Sequence, residues 1–118
     1  MPTNYNAWCF PWAVTAVSGT HVCLRRVDAA QIWQLFGGEG VTHYCGAPSV
    51  QIMLMNHAAA RRLDRPVTVY VAGAPPSPIL LGQLKARHFR TMHVYGLTET
   101  YAPIMSCAWH REWDDRSA

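Results

Sequence analysis

Val67-Thr68-Val69-Tyr70-Val71-Ala72-Gly73-Ala74-Pro75-Pro76-Ser77-Pro78-Ile79-Leu80-Leu81 is the stretch that decides the fold. Its β-branched and aromatic start reads as a strand. Small and proline residues then make a turn. Ser77 followed by Pro78 marks a helix start, because a serine oxygen can cap the first free N–H groups and proline fits the first turn. Leu80, Leu81 and Leu84 supply the apolar stripe of that helix. Two neighbouring stretches repeat the unit. Upstream, Val41 to Cys45 reads as a strand ending in Gly46-Ala47-Pro48. Ser49 is expected to cap a helix that presents Val50, Met53, Leu54 and His57 on one face and runs through Ala58 to Arg62. Downstream, Thr91 to Tyr95 reads as a strand ending in Gly96-Leu97-Thr98-Glu99-Thr100. Strands separated by helices imply crossover connections and a parallel sheet. The expectation is an α/β chain with a mostly parallel sheet and helices on both faces. Further upstream, His21 to Leu24 suggests a short strand. Asp28 with Gln31 suggests a capped helix carrying Ile32, Leu35 and Phe36, stopped at Gly37-Gly38.

The 118 residues suit one domain. Charged residues are 14% of the chain, against about 25% in an ordinary soluble domain. Residues 1–60 carry only Arg25, Arg26, Asp28 and Glu39, as if both faces of that half were covered. Disorder is excluded by the 50% hydrophobic content. A nucleic-acid binder that neutralises many phosphates is not expected from a chain whose one lysine is Lys85. No apolar run approaches the ~18 to 20 residues of a membrane span. No Lys or Arg precedes Arg25, so a signal peptide is not expected, and the cytoplasm is the expected compartment. Cys9, Cys23, Cys45 and Cys107 form no C-x-x-C pair; buried reduced thiols are the expectation. The histidines make no H-x-x-x-H pattern, and His43 and His93 read as sheet residues. Arg61, Arg62 and Arg65 read as a solvated helix end.

In a parallel sheet the loops after Cys45, Val71 and Tyr95 leave at one carboxyl edge, where open α/β sheets bind ligands. Tyr95 to Thr100 combines an aromatic ring, a glycine, hydroxyls and a carboxylate. A helix beginning at Thr98 would offer free N–H groups to an anion. Glu99 could hold Mg²⁺ together with a phosphate. The plainer reading leaves Thr98 as a cap and Glu99 as a dipole partner. Gly73-Ala74-Pro75 permits close backbone approach by a ligand, or is simply a turn. Trp8, Phe10 and Trp12 with Met53 and Met55 could line an apolar pocket, or belong to a core.

In order, these segments resemble the AMP-forming acyl-CoA synthetase family, the adenylate-forming ligases. Tyr95-Gly96-Leu97-Thr98-Glu99 is that family's Y-G-x-T-E motif, and Gly73-Ala74-Pro75-Pro76 is similar to its adenine-side loop. Asn6-Ala7-Trp8-Cys9-Phe10-Pro11-Trp12 resembles the N-G-W-C-F-P-W segment of the short- and medium-chain branch. Cys107-Ala108-Trp109 with Glu112-Trp113-Asp114 resembles the stretch that follows.

The resemblance implies that ATP and a carboxylic acid give acyl-AMP and pyrophosphate, after which coenzyme A displaces AMP. It implies that Tyr95 stacks on adenine, with Gly73, Ala74, Pro75 and Gly96 around the nucleotide. Thr98 would contact the α-phosphate and Glu99 would bind Mg²⁺, these two being the catalytic pair. Trp8 and Gly46, Ala47 and Pro48 would border the acyl pocket.

The family's Ser/Thr/Gly-rich phosphate loop ending in P-K-G, its ribose-binding aspartate and its C-terminal lysine domain have no counterpart in these residues. No histidine precedes Trp8, and Ala7 stands where the family has glycine. Residues 1–118 therefore read as a partial AMP-binding domain, an internal piece of a fatty acid or acyl-CoA ligase that is inactive alone. Its expected partners are a small carboxylic acid, a nucleotide, and either the rest of the ligase or a second copy meeting exposed apolar surface. The alternatives are a non-catalytic nucleotide-binding or assembly module of the same fold, and an unrelated flavodoxin-like domain.

Overall fold

The computed structural model describes residues 10–101 and 103–113. These form α1 (Phe10–Ala16), α2 (Ala29–Gly38), β1 (His43–Gly46), α3 (Pro48–Met55), β2 (Val67–Val71), α4 (Pro78–Ala86), β3 (Phe89–Tyr95) and β4 (Met105–Ser106). Single 3-10 turns lie at Thr98–Thr100 and Arg111–Trp113. The sheet order is β1-β2-β3-β4, and the first three strands are parallel. The short β4 runs antiparallel along β3.

Alternation along β2 sets the two faces. Val67, Val69 and Val71 are buried, while Thr68 and Tyr70 on the other face are half-buried. Register then aligns Val67 with Phe89, and Val69 with Tyr44 of β1. Three helices cover this face. Ile32, Trp33 and Phe36 come from α2, Leu54 and Met55 from α3, and Leu80 and Leu84 from α4. Each fully buried large apolar side chain stabilises the fold by about 1.5 to 3 kcal/mol. On the opposite face, Ala72 and Val94 are buried beneath Phe10, Cys45, Tyr70 and Met92. Helix α1 contributes Phe10, whose ring centroid lies 5.1 Å from that of Tyr70. The mostly parallel sheet with helices on both faces is thus present, but the cover is unequal. Trp12 is 67% and Val17 78% exposed, so the uncharged first half is not covered on both sides among the described residues.

Local chemistry explains the agreements. Asp28 accepts from the Gln31 N–H at 3.1 Å, which also holds its carboxyl below the usual carboxylate range. Ser77 accepts from the Leu80 N–H at 3.2 Å, and Pro78 follows at the first helical position.

Other expectations are corrected. His21 to Leu24 form no strand, because they are exposed and no strand among the described residues pairs with them. Helix α2 runs through Gly37-Gly38 and closes when the Glu39 N–H donates to the Leu35 carbonyl. In α3 the cap position belongs to Ala47, not Ser49, since Pro48 takes the first turn. The buried face of α3 is Gln51, Leu54 and Met55, not the Val50–Met53–His57 side, and Met53 is exposed. Helix α3 stops at Met55, so Ala58 to Arg62 are not helical and the arginines are no helix end. There the His57 ring accepts from the Ala59 N–H at 3.1 Å, which takes the place of a helical bond. Arg61 instead donates to the Trp33 carbonyl at 3.4 Å. Cys23 and Cys107 are exposed rather than buried, and Cys45 is half-buried. The Phe10–Trp12–Met53–Met55 cluster does not form, because Phe10 and Met55 pack in different cores on opposite faces of the sheet. Asn6, Ala7, Trp8, Cys9 and Asp114 lie outside the described residues.

Candidate functional site

Parallel pairing carries the three loops to one edge. Gly46, Val71 and His93 lie in one paired row across β1, β2 and β3. Gly73 and Tyr95 each follow that row by two residues on adjacent strands. The Gly73–Pro75 loop and the Tyr95–Thr100 loop are therefore neighbours, and the Gly46–Pro48 turn lies beyond β2.

Gly73 has φ +89°, a left-handed conformation that side chains rarely adopt, and a Cβ there would meet nothing within 4 Å. Glycine is thus required by the backbone and leaves the edge open. Ala74 and Pro75 are exposed beside it.

On β3, the Tyr95 carbonyl accepts from the Ile104 N–H at 2.9 Å. That bond fixes the backbone while the residue stays 52% exposed. Gly96 follows, half-buried.

The expected helix at Thr98 is a single 3-10 turn, which corrects its extent. The Thr100 hydroxyl accepts from the Leu97 N–H and donates to the Leu97 carbonyl, both at 2.9 Å. Tyr101, at φ 64°, ends the turn. Thr100 rather than Thr98 therefore supplies the side-chain tie, while the Thr98 carbonyl accepts from the Tyr101 N–H at 3.1 Å and Glu99 lies between them. Thr98 and Glu99 are exposed at the edge.

Mg²⁺ prefers oxygen ligands and is usually held by one or two carboxylates plus substrate phosphates. Glu99 offers one exposed carboxylate, and among the described residues no group of three His, Cys, Asp or Glu could hold a metal ion. This donor set fits a metal arriving with a phosphate, and not an all-protein cage.

The Gly46–Pro48 turn is built differently. Gly46 is buried, and Gln51, itself fully buried, donates from Nε2 to the Gly46 carbonyl at 3.3 Å. Tyr44 donates its hydroxyl to Gln51 Oε1. Burial pushes the Tyr44 phenol above its usual range. Neither Tyr44 nor Gln51 was expected from the sequence to matter at this edge. The signal that could have found Gln51 is its spacing to Leu54 and Met55 on one helical face.

Residues 4–118 match the family model described as AMP-binding enzyme. The chain belongs to that family. Among curated relatives, probable acyl-activating enzyme 9 of Arabidopsis thaliana is 46% identical over 109 residues, covering 92% of this chain and 20% of the relative. A 2-methylpropanoate–CoA ligase of Humulus lupulus is 43% identical over 109 residues, with the same coverage. A peroxisomal acetate/butyrate–CoA ligase of Arabidopsis thaliana is 44% identical over 112 residues, again with that coverage. The chain spans about a fifth of the length of these relatives. The resemblance to AMP-forming acyl-CoA synthetases is therefore upheld. The fold agrees with that of O-succinylbenzoate coenzyme A synthetase from Bacillus subtilis in complex with AMP. That match has a TM-score of 0.71 at 18% identity and covers 87% of this chain and 21% of that one. The same enzyme in complex with ATP and magnesium ion gives a TM-score of 0.70 at 19% identity over the same shares. No helix among the described residues is long and apolar enough to cross a membrane.

Proposed function

We propose that residues 1–118 form part of the nucleotide- and acid-binding edge of an AMP-forming acyl-CoA ligase. One observation carries the reading: the Gly73–Pro75 loop and the Tyr95–Thr100 motif leave adjacent parallel strands at the same edge, in a chain of the AMP-binding enzyme family. The reaction would couple an aliphatic carboxylic acid to coenzyme A, since two relatives are named for short aliphatic acids. A carboxylate oxygen attacks the α-phosphorus of ATP, and the bond to pyrophosphate breaks. The coenzyme A sulfur then attacks the acyl carbon, and AMP leaves.

In this reading Tyr95 stacks on adenine, while Gly73, Ala74, Pro75 and Gly96 let the backbone approach the base. Thr98 donates to an α-phosphate oxygen. Glu99 would hold Mg²⁺, which when bound neutralises phosphate charge. The Gly46-Ala47-Pro48 turn, together with Trp8, borders the acyl group. The protein's contribution is positioning and charge stabilisation. These residues alone do not complete the reaction, because no phosphate loop ending in P-K-G and no lysine domain lies within them. A second reading is a non-catalytic nucleotide-binding or assembly module of the same fold. One relative is peroxisomal by name, so the proposed compartment is the cytoplasm or the peroxisome.

Calorimetric titration with AMP and Mg²⁺, on the wild type and on Glu99→Ala, tests nucleotide binding. Heat from the wild type that falls in the variant is expected. No heat from either protein removes nucleotide binding from both readings. Release of pyrophosphate from ATP, dependent on an acid and coenzyme A and as fast as from an intact ligase, would overturn the claim that the piece is inactive alone.

A further inference from the structure

The turn between β1 and α3 has no side-chain cap of its own. Ala47 fills the cap position and makes no side-chain hydrogen bond there. By contrast, Ser77 ties the turn before α4, and Thr100 ties the turn after β3. Gln51 supplies the missing tie from within α3. It is fully buried, and both ends of its carboxamide are bonded, Nε2 to the Gly46 carbonyl and Oε1 to the Tyr44 hydroxyl. A Cβ on residue 46 would lie 2.7 Å from Nε2, so glycine at this position lets the carboxamide reach the strand end. Burying a carboxamide costs free energy unless its polar atoms are bonded. The arrangement is therefore all-or-none: with the turn in place the group is satisfied, and with the turn displaced it is not. Tyr44 is itself held between the Phe36 and Phe89 rings, at centroid distances of 5.1 and 5.9 Å.

We infer that Gln51, held by Tyr44, is a positioning residue that clamps the Gly46-Ala47-Pro48 turn as the wall of the acid-side subsite. The inference rests on the proposed role of that turn. Gln51 meets no ligand and acts through the Gly46 carbonyl, so its loss affects the acyl increment of binding and not the nucleotide part. The Gly73 and Tyr95 loops that hold the nucleotide are tied independently.

The test is calorimetric titration of the chain with AMP and with the butyl ester of AMP, reading the ratio of the two affinities. The wild type is expected to bind the ester more tightly. Gln51→Leu should lower the ratio about tenfold with AMP affinity unchanged, and Tyr44→Phe about threefold in the same direction. Tyr44→Phe keeps the ring and its packing, so it decides the matter where Gln51→Leu fails to fold. An unchanged ratio in the folded variants, or an equal loss for both ligands, overturns the inference. A wild type that binds AMP but gains nothing from the butyl group also overturns it and leaves the nucleotide reading standing. A wild type that binds neither ligand sinks the nucleotide reading and the inference with it.

Discussion

Trp33 donates its indole N–H to the Leu54 carbonyl at 3.0 Å, and both side chains are fully buried. The bond joins α2 to the last turn of α3, where the Leu54 carbonyl also accepts from the His57 N–H at 3.3 Å. The same indole meets Phe36 and Phe89 edge-on at 5.5 and 5.9 Å. One side chain thus couples two helices and a strand. Trp33→Phe should lower unfolding free energy by about 2 to 4 kcal/mol, from the cavity and the lost indole hydrogen bond together. Urea unfolding followed by far-UV circular dichroism measures this, and a loss below about 1 kcal/mol would remove Trp33 from the centre of the core.

Two glycines with open space around them should respond in opposite directions to alanine. A Cβ at Gly73 or at Gly82 would meet nothing within 4 Å. Gly73 has φ +89°, so Gly73→Ala should destabilise by about 1 to 2 kcal/mol through backbone strain alone. Gly82 lies inside α4, so Gly82→Ala should stabilise by about 0.5 to 1 kcal/mol. Thermal melts of both variants against the wild type check the pair. The same sign in both would contradict the conformational assignment.

What could be read from residues was mostly local. β2 and the Ser77-Pro78 helix start are visible because strand propensity, turn and cap sit next to one another in sequence. The carboxyl-edge loops followed from the repeated strand–turn–helix unit. Nonlocal features were not visible. His21 to Leu24 look like a strand, but strand formation needs a partner. β4 pairs Met105 with Tyr95 and has only two residues, too few to leave a pattern. Gln51 draws no attention in the sequence, because polar side chains usually face water. Its burial depends on Tyr44 and on the absence of a Cβ at Gly46, which are tertiary facts.

Tyr44 gives the fold an alkaline limit. Burial raises its phenol above the ordinary value, because the charged form would lose hydration. In the unfolded chain the phenol ionises near pH ~10. The folded state keeps the proton to higher pH, so the contribution is complete below about pH 10 and is lost as pH rises toward the folded value. Urea midpoints measured from about pH 8 to about pH 11 should fall in the wild type more steeply than in Tyr44→Phe. At neutral pH the variant should be less stable by about 1 to 2 kcal/mol, since Gln51 Oε1 loses its donor. Parallel pH profiles would show that Tyr44 does not set the slope.

Tyr95 offers the cleanest separation of binding from folding. Its backbone is fixed by pairing with Met105 and by the bond from the Ile104 N–H, while the residue is 52% exposed. Removing the ring should therefore leave the sheet intact. If the ring stacks on adenine, Tyr95→Ala should weaken AMP binding by about tenfold, since stacking of a base on an aromatic side chain is worth about 1 to 3 kcal/mol. Tyr95→Phe should retain most of the affinity, because the face of the ring and not the hydroxyl makes the contact. Both variants should melt within a few degrees of the wild type. Equal loss in Ala and Phe variants would assign the effect to the hydroxyl. No loss in either would remove Tyr95 from the nucleotide site.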